Sequence, residues 1–383
     1  MNKQIYLDNA ATSFPKAPGV GRAMAAYIDE IGANIGRGSY AAAEEAGQRV
    51  WAVRQSLARL FNFPGSPRQV VFTPGATYGL NQILRGYLRP GDHVVVSSLE
   101  HNAVMRPLRE LEAAGVELSL LPADRQGLSD IAALPALLRP QTRLMLVNHA
   151  SNVCGAVFPL EAAAALCRER GVALAVDACQ SAGHYPLDFA GLGLSALALS
   201  GHKGLLGPQG VGALLLEADI AQQLRPLVSG GTGSSSDREV QPDFLPDRLE
   251  SGTLNLPGII GLGAAVEYVR QQVVAALREH ELALTQTLLA GLDALPLRVI
   301  GPRDPRLRVG VVALDLAPLD NAEAAARLEA EFGLACRCGL HCSPRAHMTL
   351  GTFPQGTLRL SLGYANTPAD VQAALTALSA VLS

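Results

Sequence analysis

Apolar residues fall along this chain in two rhythms. From about residue 20 to 215, short continuous runs of Val, Leu and Ala alternate with stretches whose apolar positions recur at helical spacing. The runs include RQVVFT (68–73), DHVVVSS (92–98), RLMLVNHAS (143–151), VALAVDAC (172–179), LSALALSG (194–201) and GVGALLLE (210–217). Helix-like stretches between them include GATYGLNQILRGYL, HNAVMRPLRELEAAG and PLEAAAALCRERG. Continuous apolar runs mark strands covered on both faces, and intervening helices mark parallel crossovers. The pattern predicts an α/β fold with a mostly parallel sheet flanked by helices. Residues 229–247, rich in Gly, Ser, Asp and Pro, read as a long loop, and loops of that length are usually functional or disordered. Residues 257–295 then read as one long helical stretch leading into a smaller α+β region. The expected division is a large domain over 16–255 and a small domain over 256–383 that also takes in segment 1–15.

Composition narrows the class. At 383 residues, 49% hydrophobic and 17% charged, the chain can bury a large core and is compact rather than disordered. A net charge of −3 with no basic run argues against nucleic acid and anionic membranes as partners. No apolar run approaches the roughly 20 residues of a membrane span. The start, MNKQIYLDNAATS, has no signal-peptide core. Six cysteines in a chain of this size do not make a disulfide scaffold and read as reduced thiols of a cytoplasmic protein.

Ligands of open parallel sheets bind outside the carboxyl ends of the strands. Those ends are crowded with polar groups here. Gly75, Ala76 and Thr77 follow QVVFT and open a helix, an arrangement suited to phosphate. Glu100, His101 and Asn102 follow VVVSS, and Asn152 follows LMLVNHA. Asp177 and Gln180 follow VALAV, and Ser200, His202 and Lys203 follow ALALS. Each has a plain structural account: His101 and Thr77 as helix-start residues, Asp177 as a cap, Lys203 as a solvated turn lysine. One small ligand explains them together. A lysine amine, an acid, a phosphate cradle and a partner for a planar ring suit pyridoxal 5'-phosphate. Its aldehyde condenses with lysine and its ring nitrogen takes an acidic partner. A nicotinamide dinucleotide fits worse, because no Gly-x-Gly-x-x-Gly opens a βαβ unit. A P-loop fails, because Lys203 lacks the preceding Gly-x-x-x-x-Gly and the following Ser or Thr.

The segments YLDNAATSFPK, TPGATYGLN, SLEHNAVMRPL, VDACQSAGHYPLD, SGHKGLLGPQGVG and RLESGTLNLPG resemble the fold-type I, class V aminotransferase superfamily, and within it the cysteine desulfurases. The resemblance runs in order over nearly the whole chain. It implies a large domain with a mostly parallel seven-stranded sheet and a smaller α+β C-terminal domain. By motif it implies that Lys203 carries the cofactor as a Schiff base, Asp177 pairs with the ring nitrogen and Gln180 with the phenolic oxygen. His101 would stack on the ring, and Thr77, Ser200 and His202, with Gly75 and Ala76, would hold the phosphate. Thr253, with Gly230 and Gly231, resembles residues that reach the cofactor of a neighbouring subunit, which implies a homodimer with shared sites. Asn152 and Arg37 match further positions lining the site.

A second centre lies in GLACRCGLHCSPRAHMTLGTFPQGTLRLSLGYANT (333–367). Cys336, Cys338, His341 and Cys342 lack the second ligand pair of a structural zinc site, so no metal is expected. Cys336 reads as a buried thiol in a strand, whereas Cys342 lies beyond Gly339 and before Pro344, in a loop where a thiolate can be reached. Arg-x-Gly-x-His-Cys-x-Pro resembles the catalytic-cysteine segment of the SufS-like, group II desulfurases and sets Arg337 beside Cys342 among the site residues. Arg359 matches the arginine that grips a substrate carboxylate, for which a guanidinium is well shaped, although a strand-face ion pair would also account for it. Cys338 and Leu340 depart from the family's usual Thr and His.

The resemblance implies conversion of L-cysteine to L-alanine, with Lys203, Cys342 and His101 catalytic and the sulfur left on Cys342 for a protein or thiol acceptor. Three alternatives stay open: a selenocysteine lyase acting on L-selenocysteine, a class V aminotransferase or C–S lyase with Cys342 incidental, and a non-catalytic relay or scaffold protein.

Overall fold

The computed structural model describes residues 4–36 and 38–383; Arg37, one of the expected site residues, lies outside them. Seven strands form the large sheet: β2 (Val70–Thr73), β3 (His93–Ser97), β4 (Glu117–Leu121), β5 (Thr142–Asn148), β6 (Ala173–Asp177), β7 (Ala196–Ser200) and β8 (Gly212–Leu216). Their order is β2-β8-β7-β6-β5-β3-β4, and β8 alone runs against its neighbours. This matches the mostly parallel, seven-stranded expectation. β2, β3, β7 and β8 are buried at every position, whereas the edge strand β4 turns Glu117 outward. Val70, Val95, Met145 and Leu197 belong to the core on one face, and Val71, Val94, Leu144 and Ala198 to the core on the other. The period-two alternation of apolar side chains thus fills two layers at once.

Helices cover both layers: α1 (Val20–Ala26), α2 (Ala41–Leu60), α3 (Ala76–Tyr87), α4 (Asn102–Ala113), the one-turn α5 (Leu134–Leu137), α6 (Leu160–Arg170), the one-turn α7 (Phe189–Leu192) and α8 (Ala218–Gln223). From Leu224 to Asn255 the chain is irregular, so the loop is longer than 229–247. The stretch 257–295 is not one helix. It divides into α9 (Leu256–Gln272) and α10 (Val274–Leu292) at Val273, whose φ is +61°. The packing explains the break. Ile259, Ile260, Leu262 and Val266 of α9 join the core beneath the large sheet, while Leu284, Leu288 and Leu292 of α10 join a separate core.

That separate core lies against a four-stranded antiparallel sheet of order β12-β13-β10-β9: β9 (Arg298–Ile300), β10 (Val311–Asp315), β12 (Arg337–Gly339) and β13 (Thr357–Ser361). α11 (Asn321–Phe332), α12 (Pro344–Leu350) and α13 (Pro368–Leu382) complete this region. The N-terminal strand β1 (Ile5–Tyr6) pairs in parallel with β11 (Leu334–Ala335), so the start of the chain joins its end. From there it passes toward the turn after β7.

One buried ion pair fastens α2 to the sheet beside the site. Both terminal nitrogens of the Arg54 guanidinium meet the carboxylate of Glu250 at 2.7 Å, and Arg54 also donates to the Val70 carbonyl. Glu250 further accepts from the Phe72 N–H, and both side chains are at most 5% exposed. Glu250→Ala would strand a buried cation and is expected to cost about 3–5 kcal/mol, read as a lowered urea midpoint. The pair would be structurally idle if Glu250→Ala unfolded at the wild-type midpoint.

Candidate active site

The carboxyl ends of the strands open on a cavity of about 560 Å³. Gly75, Ala76, Thr77, His101, Asn152, Asp177, Gln180, Ser200, His202 and Lys203 all line it. The register explains the convergence. Asn148 is level with Asp177 across β5 and β6, and Ser200 is level with Gly212 across β7 and β8. A Cβ at Gly212 would stand 3.0 Å from Gly75 Cα and 2.5 Å from the Leu199 carbonyl oxygen. Only glycine there lets the loop before α3 lie down on the sheet, with the helix N-terminus aimed at the cavity.

His101 caps α4: its Nδ1 accepts from the Ala103 N–H at 2.9 Å, so a neutral ring carries its proton on Nε2. Burial, then the Lys203 ammonium, holds its pKa below the usual range. Asp177 Oδ1 accepts from the Cys179 N–H at 2.9 Å. Gln180 spends one N–H on the Ala10 carbonyl at 3.0 Å. Burial, then Lys203 and Lys16, pushes His202 down to about 4. The Lys203 side chain makes no hydrogen bond among the described residues.

Cys342 does not line this cavity, but its backbone is docked on the cavity wall. The Asn102 N–H donates to the Cys342 carbonyl at 2.8 Å, next to His101. Cys342 is exposed. It sits in a turn closed by the Ser343 N–H on the Leu340 carbonyl at 2.8 Å. The two central residues, His341 and Cys342, have φ of +47° and +58°. Turns with two left-handed positions ordinarily use Asn and Gly, and each L side chain there costs about 1–3 kcal/mol. Asn152 holds both flanks of Cys342 through its side-chain amide. Arg359, 2% exposed, donates to the Asn152 carbonyl and to Asp8 Oδ1, each at 2.9 Å, and its Nε has no partner among the described residues. Arg337 is the cross-strand neighbour of Arg359 and is exposed. Cys338 pairs with Leu358 instead, on the opposite face of the strand from Arg337. Cys336 falls between β11 and β12, and burial lifts its thiol to about 12.

Gly231 and Thr253 are not among the residues lining the Lys203 cavity. They are joined through the Gly252 N–H on the Gly231 carbonyl at 2.8 Å and line a separate hollow of about 430 Å³. Gly230 lies on the same loop, its N–H held by Gln241 Oε1 at 3.1 Å.

Residues 5–374 match the aminotransferase class-V family. The chain belongs to this family. It is 33% identical over 97% of its length to a probable cysteine desulfurase of Methanothermobacter thermautotrophicus, covering 93% of that protein. It is likewise 33% identical over 99% of its length to cysteine desulfurase CsdA of Escherichia coli, covering 94% of it. The crystal structure of CsdA superposes with a TM-score of 0.88 at 31% identity, covering 99% of this chain and 94% of that one. A cysteine desulfurase of Thermococcus onnurineus superposes with a TM-score of 0.92 at 29% identity, covering 100% of this chain and 95% of that one.

Within this class-V frame, several residues at the site escaped the sequence reading. Asp8, Thr12, Ser13 and Lys16 reach it from the far end of the chain, and only their neighbourhood in YLDNAATSFPK could have flagged them. Glu100 is legible in the sequence as a polar residue at the end of β3, but its role is not. It is fully buried, its Oε1 accepting from Ser97 Oγ at 2.6 Å and from the Asn148 N–H at 2.9 Å. Its Oε2 has no partner among the described residues.

Burial, with the Asp177 carboxylate adding to it, lifts Glu100 to about 8 from an ordinary 4.5. The folded chain therefore keeps a proton that the unfolded chain releases, and stability falls as pH rises between those values. Glu100→Gln is expected to remove this decline, so its urea midpoint should gain on wild type from pH 5 to pH 8. A constant gap across those pH values would mean that Glu100 is ionised in the fold.

Proposed function

We propose that this class-V chain is a pyridoxal-phosphate-dependent cysteine desulfurase. It converts L-cysteine to L-alanine and leaves the sulfur on Cys342 as a persulfide. The observation that carries this is the hydrogen bond from the Asn102 N–H to the Cys342 carbonyl, which docks an exposed thiol-bearing turn against the Lys203 cavity. In an aminotransferase or a C–S lyase, that thiol would have no task.

The residues fit the cofactor. A Cβ at Gly75 would meet nothing within 4 Å, so backbone N–H groups at the start of α3 face open space beside Thr77, Ser200 and His202, a set suited to phosphate. Asp177 would take the ring nitrogen, Gln180 the phenolic oxygen and His101 the ring face. The bound group supplies an aldehyde for Lys203 and an electron-withdrawing ring.

The chain's own residues account for the rest. Arg359 binds the substrate carboxylate, its unpartnered Nε supplying a donor, with Arg337 adding positive charge from the neighbouring strand. Asn152 lines the same wall, and Arg37 is retained from its motif alone. The Lys203 amine removes the proton from the substrate Cα, and His101 moves a proton near the sulfur through Nε2. The Cys342 thiolate attacks the substrate sulfur: an S–S bond forms, the Cβ–S bond breaks, and the carbon skeleton is protonated to L-alanine.

Gly231 and Thr253 line a hollow other than the Lys203 cavity and would complete the site of a second copy, in a homodimer. The exposed Val228, Val240 and Phe244 on the same loop suit such burial. The persulfide would pass to a thiol or protein acceptor of group II type. Free thiols at Cys154, Cys167, Cys179, Cys336, Cys338 and Cys342 suit a reducing, cytoplasmic setting.

Incubation with L-cysteine tests the reading. Wild type should yield alanine and add one sulfur to the Cys342 peptide by mass. Cys342→Ala should lose both, while Lys203→Ala should lose the cofactor's absorbance band and slow turnover by roughly 10²–10⁴-fold. Wild-type turnover in Cys342→Ala on L-cysteine would overturn the reading. Turnover of L-selenocysteine alone by that variant would favour selenocysteine lyase. Pyruvate in place of alanine would mark a C–S lyase.

A further inference from the structure

Cys342 is presented by a turn that would not hold its shape unaided. Two successive L residues in the left-handed region tend to relax to negative φ unless their neighbours are tied down. The ties run to one side chain. Asn152 Nδ2 donates to the His341 carbonyl at 2.7 Å, and Ser343 Oγ donates to Asn152 Oδ1 at 2.8 Å. The residues before and after Cys342 are thus joined through a single amide. The main chain of that asparagine holds Arg359 at 2.9 Å. Ser343 is 0% exposed and begins the step into α12, where the His347 N–H donates to its carbonyl at 3.2 Å. Its hydroxyl makes no other hydrogen bond among the described residues. By donating to Oδ1 it also fixes which way the Asn152 amide faces, and so keeps Nδ2 on His341.

We propose that Ser343 is a positioning residue for sulfur capture, holding Cys342 through Asn152 in the left-handed turn and in register with Arg359. The proposal rests on the desulfurase reading above. The step it serves is balanced within that reading: L-cysteine and the Cys342 thiol become L-alanine and the Cys342 persulfide, with no outside oxidant. Ser343 does not line the Lys203 cavity. Without its hydroxyl, Asn152 Oδ1 becomes a buried acceptor with no partner, the amide is free to turn, and the thiol loses its fixed approach.

The test uses holoenzyme carrying Ser343→Ala or Ser343→Thr. Three quantities are read: hydrogen exchange of the peptide spanning 339–345, the spectral titration with L-alanine, and the single-turnover rate of persulfide formation on Cys342. Ser343→Ala should exchange faster across 340–343 and form persulfide roughly tenfold more slowly or worse, with the L-alanine midpoint unchanged. Ser343→Thr, which keeps the hydroxyl, should restore both. Wild-type exchange and wild-type persulfide rate in Ser343→Ala would overturn the proposal. So would a loss of L-alanine affinity that matches the loss in rate, since the effect would then lie in binding. If wild type itself forms neither alanine nor persulfide, the desulfurase reading fails, and the sulfur-capture role fails with it. The exchange arm would still report whether Ser343 holds the turn, which separates the two failures.

Discussion

Four donors from the N-terminal segment converge on one oxygen, the carbonyl of His202. They are the Ser13 N–H at 2.9 Å, the hydroxyls of Thr12 and Ser13 at 3.1 Å, and Lys16 Nζ at 3.0 Å. The oxygen belongs to the peptide bond that leads into Lys203, so the Lys203 side chain projects from a backbone held by four hydrogen bonds. The arrangement keeps a half-buried cation: burial pulls Lys16 down to about 8, and its bonds to Thr12, Ser13 and His202 offset part of the lost hydration. The same segment continues in both directions. Asp8 holds Arg359, the Ala10 carbonyl holds Gln180, and the Ala17 N–H donates to the Leu206 carbonyl at 3.0 Å. Because β1 is paired to β11, this strap fixes the region carrying Cys342 and Arg359 against the turn carrying Lys203.

Burial disfavours the charged form of several groups in or behind the cavity wall. His101 and His202 sit below the usual histidine range, and Glu100 sits above the carboxylate range. A cavity built from strand ends and helix starts can tolerate this, because backbone N–H groups at the start of α3 supply positive potential without any ionised side chain there. The Nε of Arg359 and the amine of Lys203 are both donors without a partner among the described residues.

Much of the architecture was legible because strands buried on both faces leave a strong imprint. VVVS and ALALS have no polar alternation, and each is followed by polar residues at the sheet's carboxyl edge. Thr77, His101, Asp177 and Lys203 therefore group together by sequence alone, and the 560 Å³ cavity brings them together. The helix break at Val273 was not legible. No Gly or Pro marks it, and it arises because α9 and α10 pack into different cores. The roles of Asp8, Lys16 and Ser343 were equally hidden, since each acts on a residue that is distant in sequence or through an intermediary.

By itself, then, the sequence determined the alternation of buried strands and helices, the polar groups at the strand ends and the reactive types present, because burial and backbone preference act locally on residue type. Tertiary structure alone decided which of those groups meet. It laid the start of the chain across the Lys203 turn, turned Cys338 away from the face of Arg359, and held Cys342 in a left-handed conformation through Asn152. Those outcomes depend on hydrogen bonds between residues up to 351 positions apart, whose geometry exists only once both cores are packed.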